Sequence, residues 1–192
     1  MTVVSKVGGG VLAWAYLNQH PGDGAYISIS PINLIIEHIL GASPITQLFN
    51  EYVAFGVKPE SPLRSMKDVM ERLKSDPASV SFAFAASLGG ANHIATSPAA
   101  KKAGVEPRKL KLIVFSSASQ VVTAVLGSHL DVAVVAVSGA APHFQAGRIR
   151  VIGVSSAQRL PGAFAAVPTR KEQGCWRRLN IDPGPVACFL NR

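Results

Sequence analysis

The chain has 192 residues, 48% hydrophobic and only 16% charged, against about 25% charged in an average globular protein. That balance excludes a disordered chain, which needs low hydrophobicity and high net charge, and the length allows one or two domains around a sizeable core. Nineteen Lys and Arg against eleven Asp and Glu give a net charge of +8, an excess that lies mostly beyond residue 110 and favours anionic partners.

In chain order, Thr2-Val3-Val4-Ser5 reads as a strand fragment running into Gly8-Gly9-Gly10, and Val11 to Asn18 has helical composition. His20-Pro21-Gly22-Asp23-Gly24 is a turn by residue type. Ala25 to Ser30 alternates as a strand does, Ile32 to Leu40 suits a helix with Pro31 at its first turn, and Tyr52 to Val57 is strand again. Lys58 to Pro62 makes a rigid bend. Ser65-Met-Lys-Asp68 is a capping-box pattern; it opens a helix through Ser75 with Met66, Val69, Met70 and Leu73 on one face, stopped by Asp76-Pro77. Strands follow at Val80–Ala85, Leu110–Phe115, Leu130–Val137 and Ile149–Val154. Helices are expected after Ser87–Asn92 through Lys102, at Gln120–Leu126 and at Gly139–Ala146. Val-rich runs such as Val132 to Val137 fit strands covered on both faces, and strands alternating with helices at this spacing predict an α/β fold. Beyond Gly174 no period is usable.

No signal peptide is encoded at the N-terminus, so the chain is expected in the cytoplasm if expressed as given. The most membrane-like window, Val121 to Ala141, carries His129 and Asp131; a central Asp costs about 2.5 to 3.5 kcal/mol on insertion, which predicts a soluble chain. Cys175 and Cys188 match neither a CxxC motif nor a zinc ribbon and read as free thiols.

Catalytic templates find little. There is no Walker A string, no spaced-glycine dinucleotide fingerprint and no GxSxG elbow. The five histidines include no i, i+4 pair, so neither a metal nor any other cofactor is expected. The cations are dispersed, with no basic helix interleaved with aromatics and no RNP motif, so nucleic acid is not the expected partner. What remains are three strand-to-helix junctions rich in small polar residues: Ser87 to Asn92, Ser116 to Ser119, and Ser138-Gly139. In an open α/β sheet such junctions lie at the carboxyl ends of the strands, where ligands bind. First-turn N–H groups and the helix dipole favour anions there. Taken singly, each junction is also explained by ordinary helix capping; three on one sheet point to a small-anion site.

A longer ordered pattern runs through the chain: Tyr52-Val-Ala-Phe-Gly-Val, Asn92-His93, Leu126-Gly-Ser-His-Leu-Asp131, then Ala141-Pro-His-Phe-Gln-Ala-Gly-Arg-Ile-Arg-Val151. Ser156-Ala-Gln-Arg-Leu-Pro161 and Val167-Pro-Thr169 with Lys171-Glu-Gln-Gly174 complete it. This resembles the substrate-binding receptors of tripartite tricarboxylate transporters, the Bug family of periplasmic proteins, from about Val3 to Gly174. The resemblance implies a type II periplasmic-binding-protein fold with one near-complete lobe, a parallel-rich sheet and a partial first lobe. It divides the chain into a partial first lobe (1–57), a second lobe (58–154) and a return segment with a divergent tail (155–192). It implies a non-enzymatic, periplasmic receptor that closes two lobes on a small organic carboxylate and works with membrane transporter subunits. Carried over by position, the ligand contacts are Ser28 and Ser30 on the first lobe, and Ser87, Gly89, Gly90, Asn92, His93, Ser116, Ser117 and Ser138 on the second.

The chain also departs from the family. It begins near the family's second strand, without the Gly-rich loop that supplies much of the first-lobe site; residues are missing between Thr46 and Gln47; and the tail after Gly174 reads as foreign, as a shifted frame would. Val135 stands where many members place a ligand-reading Asp, which argues against an amino-acid ligand. Two other readings stay open: a shortened remnant that binds nothing, and an α/β enzyme acting on an anionic metabolite. A missing strand would leave a sheet edge exposed, so self-association is expected.

Overall fold

A computed structural model describes residues 2, 4, 15–31, 42–85, 92, 95–96, 100–101, 104–175 and 185–191. Their contacts group the chain into two units, Met1–Glu51 with Gly184–Arg192, and Tyr52–Pro183.

The second unit is built from elements whose ends are set by local chemistry. Helix α1, Met66–Ser75, starts at the predicted capping box: the Ser65 side chain accepts from the Asp68 N–H, and Asp68 reaches back to the Ser65 N–H at 2.9 Å. Burial pushes the Asp68 carboxyl up, but hydrogen bonds from the N–H groups of Arg64 and Ser65 and from the Ser65 hydroxyl outweigh it. The net effect holds it below its ordinary 3.8. Met66, Val69 and Leu73 are buried, and Met70 packs beside them, as the 3.6-residue period requires.

Five strands, β3 (Val53–Val57), β4 (Ser81–Ala85), β5 (Lys111–Phe115), β6 (Val132–Ala136) and β7 (Arg150–Val154), form one sheet in the order β5-β4-β6-β3-β7. β4 pairs in parallel with β5 and β6, while β3 pairs antiparallel with both β6 and β7. Four strands therefore share one direction and β3 alone opposes them, giving a mixed but parallel-rich α/β sheet. Both faces are covered except along the edge strand β5, whose residues are exposed or half-buried. Phe55, Phe82, Phe84, Val132 and Val134 meet α1 on one side. On the other, Ala54, Ala83, Ala133 and Val135 meet Val121, Val122 and Val125 of helix α2 (Ala118–Leu126) and Ala140 of helix α3 (Val137–Gln145). This two-sided burial accounts for the continuous Val run of β6. It cannot tell parallel from antiparallel pairing, so the opposed direction of β3 is new information.

Several boundaries differ from expectation. Val137 is helical rather than the end of a strand, because α3 starts directly after β6. The Arg150 guanidinium donates to the carbonyls of Pro59, Ser61 and Leu63 at 2.6, 2.7 and 3.0 Å, stitching the predicted bend to β7. Gln173 does the same for α1, accepting from the Met66 N–H at 2.8 Å and donating to the Ile152 carbonyl at 2.9 Å.

In the first unit, Ala15–Leu17 ends in helix and the predicted turn follows, with Gly22 at φ +74°. The His20 and Tyr26 rings stack at 3.7 Å. Strands β1 (Ile27–Pro31) and β2 (Ala42–Asn50) flank β8 (Pro185–Asn191), which pairs antiparallel with both. Neither β2 nor β8 was expected from the sequence. β2 carries Pro44 and breaks its register between Pro44 and Thr46 and between Gln47 and Phe49, which removes the alternation that marks a strand. Thr2 and Val4 belong to no element; Val3, Ser5, the glycines 8–10 and the segment 32–41 lie outside the described residues.

Candidate functional site

The three parallel strands end together. Ala85 stands level with Phe115, and Phe84 with both Val114 and Val134, so the junctions after β4, β5 and β6 emerge on one edge of the sheet. After β5 the chain makes its turn in two residues. Ser117, extended at φ −147°, caps α2 and accepts from the Gln120 N–H at 3.3 Å, while Gln120 Oε1 accepts the Ser116 N–H at 3.1 Å. The Ser117 oxygen is thus engaged as an acceptor, which leaves the hydroxyl proton to donate outward; both serines are exposed. After β6 there is no loop at all. Ala136 caps α3 without a side-chain acceptor, and the Val137 N–H goes to the Tyr52 carbonyl at 2.8 Å. Ser138, exposed, is the second residue of the helix, in a turn whose N–H groups have no acceptor within the helix itself.

Gly139 brings these two junctions together. A Cβ on Gly139 would stand 3.1 Å from the Cβ of Ala118, so the first turns of α2 and α3 are in direct contact and a side chain between them would push them apart. Ser117–Ala118 and Ser138–Gly139 form one surface with two helix N-termini side by side. Anions are favoured at each by the oriented N–H groups and the dipole. The unit as a whole adds a positive field, with seventeen Lys and Arg against eight Asp and Glu between residues 52 and 183. Among the described residues no group of three or more His, Cys, Asp or Glu is arranged to hold a metal ion.

Of the predicted contacts, Ser116, Ser117 and Ser138 are brought to this edge. Asn92 is there too, half-buried and helical, and its Nδ2 donates to the Ala85 carbonyl at 3.1 Å; that bond closes the β4 junction, and Oδ1 remains to accept. Ser87, Gly89, Gly90 and His93 lie outside the described residues. Ser28 and Ser30 are placed on β1 as backbone, and their side chains lie outside the described residues. Sequence reasoning missed Gln120 and Tyr52, and named Gly139 only as part of a junction, without its contact. Gln120 carried a legible signal, three residues beyond a capping Ser. The acceptor role of Tyr52 and the close approach at Gly139 exist only through contacts distant in sequence.

Beside the end of β7 lies a depression of about 440 Å³ lined by Gln158, Arg159, Thr169, Lys171 and Glu172. Arg159 Nε contacts both Glu172 oxygens, at 2.9 and 3.2 Å, and the Thr169 N–H reaches Glu172 at 2.7 Å. Those bonds, the Thr169 N–H first, hold the Glu172 carboxyl below its ordinary 4.5. These motif residues tie one loop to another, as Arg150 and Gln173 do.

A family profile described as the tripartite tricarboxylate transporter family receptor, TctC, matches residues 32–186. This chain belongs to that receptor family. The match continues past Gly174, where the sequence pattern offered no further resemblance, to the beginning of β8. A UPF0065 protein from the tcbD-tcbE intergenic region of Pseudomonas sp. (strain P51) is 25% identical over 174 residues, covering 85% of this chain and 50% of the relative. The fold is similar to that of the periplasmic binding protein BugD, with a TM-score of 0.79 at 17% identity over 96% of this chain and 63% of that one. It is also similar to MatC of Rhodopseudomonas palustris with bound malate, with a TM-score of 0.76 at 16% identity over 96% of this chain and 64% of that one. The receptor chain therefore spans about half the length of its curated relative and under two thirds of these solved structures, and it carries the type II periplasmic-binding-protein architecture they share. No helix among its described residues is long and apolar enough to cross a membrane.

Proposed function

We propose that this receptor chain binds a small organic di- or tricarboxylate, without turnover, at the edge where β4, β5 and β6 end, as the solute-binding component of a tripartite tricarboxylate-type transporter. The observation that carries the reading is the contact between the first turns of α2 and α3 through Ala118 and Gly139. Two sets of oriented N–H groups and the hydroxyls of Ser117 and Ser138 then address one volume, and neutral donors of this kind hold a carboxylate without a buried counter-charge. The malate bound in MatC supports a C4-type dicarboxylate as the first ligand to try. The same reading assigns Ser87, Gly89, Gly90, Asn92 and His93 to ligand contacts. Family membership supports the periplasm as its compartment and the transporter's membrane subunits as its partner.

The test is a thermal-shift and calorimetric screen of the chain against malate, succinate, glutarate and citrate. A ligand at about 100 times its Kd stabilises by roughly 2.7 kcal/mol, or about 5 to 11 °C for a chain of this size. A selective shift that is lost in Ser117→Ala/Ser138→Ala supports the reading. A cooperative melt that no carboxylate moves overturns it and leaves the non-binding alternative.

A further inference from the structure

Among the described residues Arg170 is the only buried charged side chain, at 3% exposed. Its main chain is fixed on both sides. The N–H donates to the Val154 carbonyl at 2.9 Å, and the carbonyl accepts from the Cys175 N–H at 2.9 Å. The side chain then runs over β3, the neighbour of β7, into the buried cluster that holds both Phe55 and Ala95. Its guanidinium carbon stands 5.5 Å from the ring centroid of Phe55, on β3, and its Nη1 donates to the carbonyl of Ala95, 75 residues away in sequence.

Ala95 and Thr96 are helical and buried. Three residues before Ala95, Asn92 bonds back to Ala85 at the end of β4. Arg170 is thus linked through Ala95 to the segment that closes the β4 junction. A rigid guanidinium fork is suited to supply donors to carbonyls. An apolar side chain of similar length would fill the same space without the cost of burying a charge, so the guanidinium is to be explained by what it bonds.

We propose that Arg170 is a positioning residue: it anchors the helical residues Asn92, Ala95 and Thr96 to the β3–β7 side of the sheet, and so sets where the β4 junction presents its groups to the carboxylate. The second half of this inference rests on the receptor reading above; the anchoring half does not.

Hydrogen exchange on the full chain separates the two. In Arg170→Met, amides in 92–101 should exchange at least tenfold faster than in the parent, while those of β3 and β6 hold their relative protection. Arg170→Lys, which keeps the charge and one donor direction, should recover part of the difference. Malate affinity should fall at least tenfold in Arg170→Met and partly return in Arg170→Lys. Unchanged exchange at 92–101 in a folded Arg170→Met overturns the anchor and makes Arg170 a packing residue. If Arg170→Met does not fold, Arg170→Lys decides on the same readout: faster exchange confined to 92–101 supports the anchor, and unchanged exchange overturns it. Faster exchange with an unaltered malate Kd overturns the role in presentation. If the parent chain binds no carboxylate, the receptor reading fails, and exchange alone still decides the anchor.

Discussion

Substituting Gly139 tests the contact on which the candidate site depends. In Gly139→Ala two effects oppose each other. Alanine gains up to about 1 kcal/mol over glycine in a helix, whereas its Cβ would stand 3.1 Å from that of Ala118, close enough that the two helices must yield by a few tenths of an ångström. The expected net change is small, within about 1 kcal/mol of either sign. Gly139→Val adds two methyl groups at the same point and gains no comparable propensity. Overpacking of this kind costs about 1 to 3 kcal/mol, which for a chain of this size lowers Tm by about 2 to 12 °C. Removing the opposing methyl with Ala118→Gly should make Gly139→Val less harmful, so the pair should couple by at least about 0.5 kcal/mol in a double-mutant cycle read by chemical unfolding. Equal stability of Gly139→Val and the parent, or additive effects at 118 and 139, would refute the claim that the first turns of α2 and α3 touch.

Three further outcomes follow from hydrogen bonds remote from the site. Ser155→Ala removes the hydroxyl that accepts the buried Val53 N–H at 2.8 Å and should cost about 1 to 3 kcal/mol in denaturant unfolding, the penalty of an orphaned buried donor. Arg150→Met keeps the aliphatic stem but strands the carbonyls of Pro59, Ser61 and Leu63; a loss of at least about 2 kcal/mol is expected, only partly recovered by Arg150→Lys, which lacks the planar fork. The Asp68 carboxyl is held below its ordinary 3.8, so its contribution is complete above that value and lost as the pH falls through the lower folded value. Unfolding measured across the acid range should therefore show a shallower pH dependence in Asp68→Asn than in the parent, and Ser65→Ala should cost about 1 kcal/mol at neutral pH.

The parts of this protein that were legible in its sequence are those decided within a turn or two of chain. The capping box of Ser65 and Asp68, the buried face of α1 and the strands β3 to β7 to within a few residues all followed from side-chain period and capping chemistry. The same information placed Ser116, Ser117 and Ser138 at strand-to-helix junctions, and an ordered run of motifs named the family before the fold was known. Yet several residues that carry the resemblance, Arg150, Arg159, Thr169, Glu172 and Gln173, prove to hold loops together in this structure. A family pattern records what a fold needs as well as what its ligand needs.

Other features had no local signature. β2, with Pro44 and two breaks in register, and β8, in the tail where no period was found, become strands only by pairing with one another and with β1. A strand's hydrogen bonds are made to another segment and cannot be read from its own residues. The opposed direction of β3 is likewise hidden, since burial on both faces gives the same apolar run whichever way the neighbours point. Charge and hydrophobic patterning by themselves determined a cationic chain of α/β class. Only the tertiary structure decided that Gly139 lets two helix ends meet, that Asn92 bonds back to Ala85, and that a buried Arg170 reaches Ala95 past the Phe55 ring. Each of these is a contact between residues that the chain separates and only packing brings within reach.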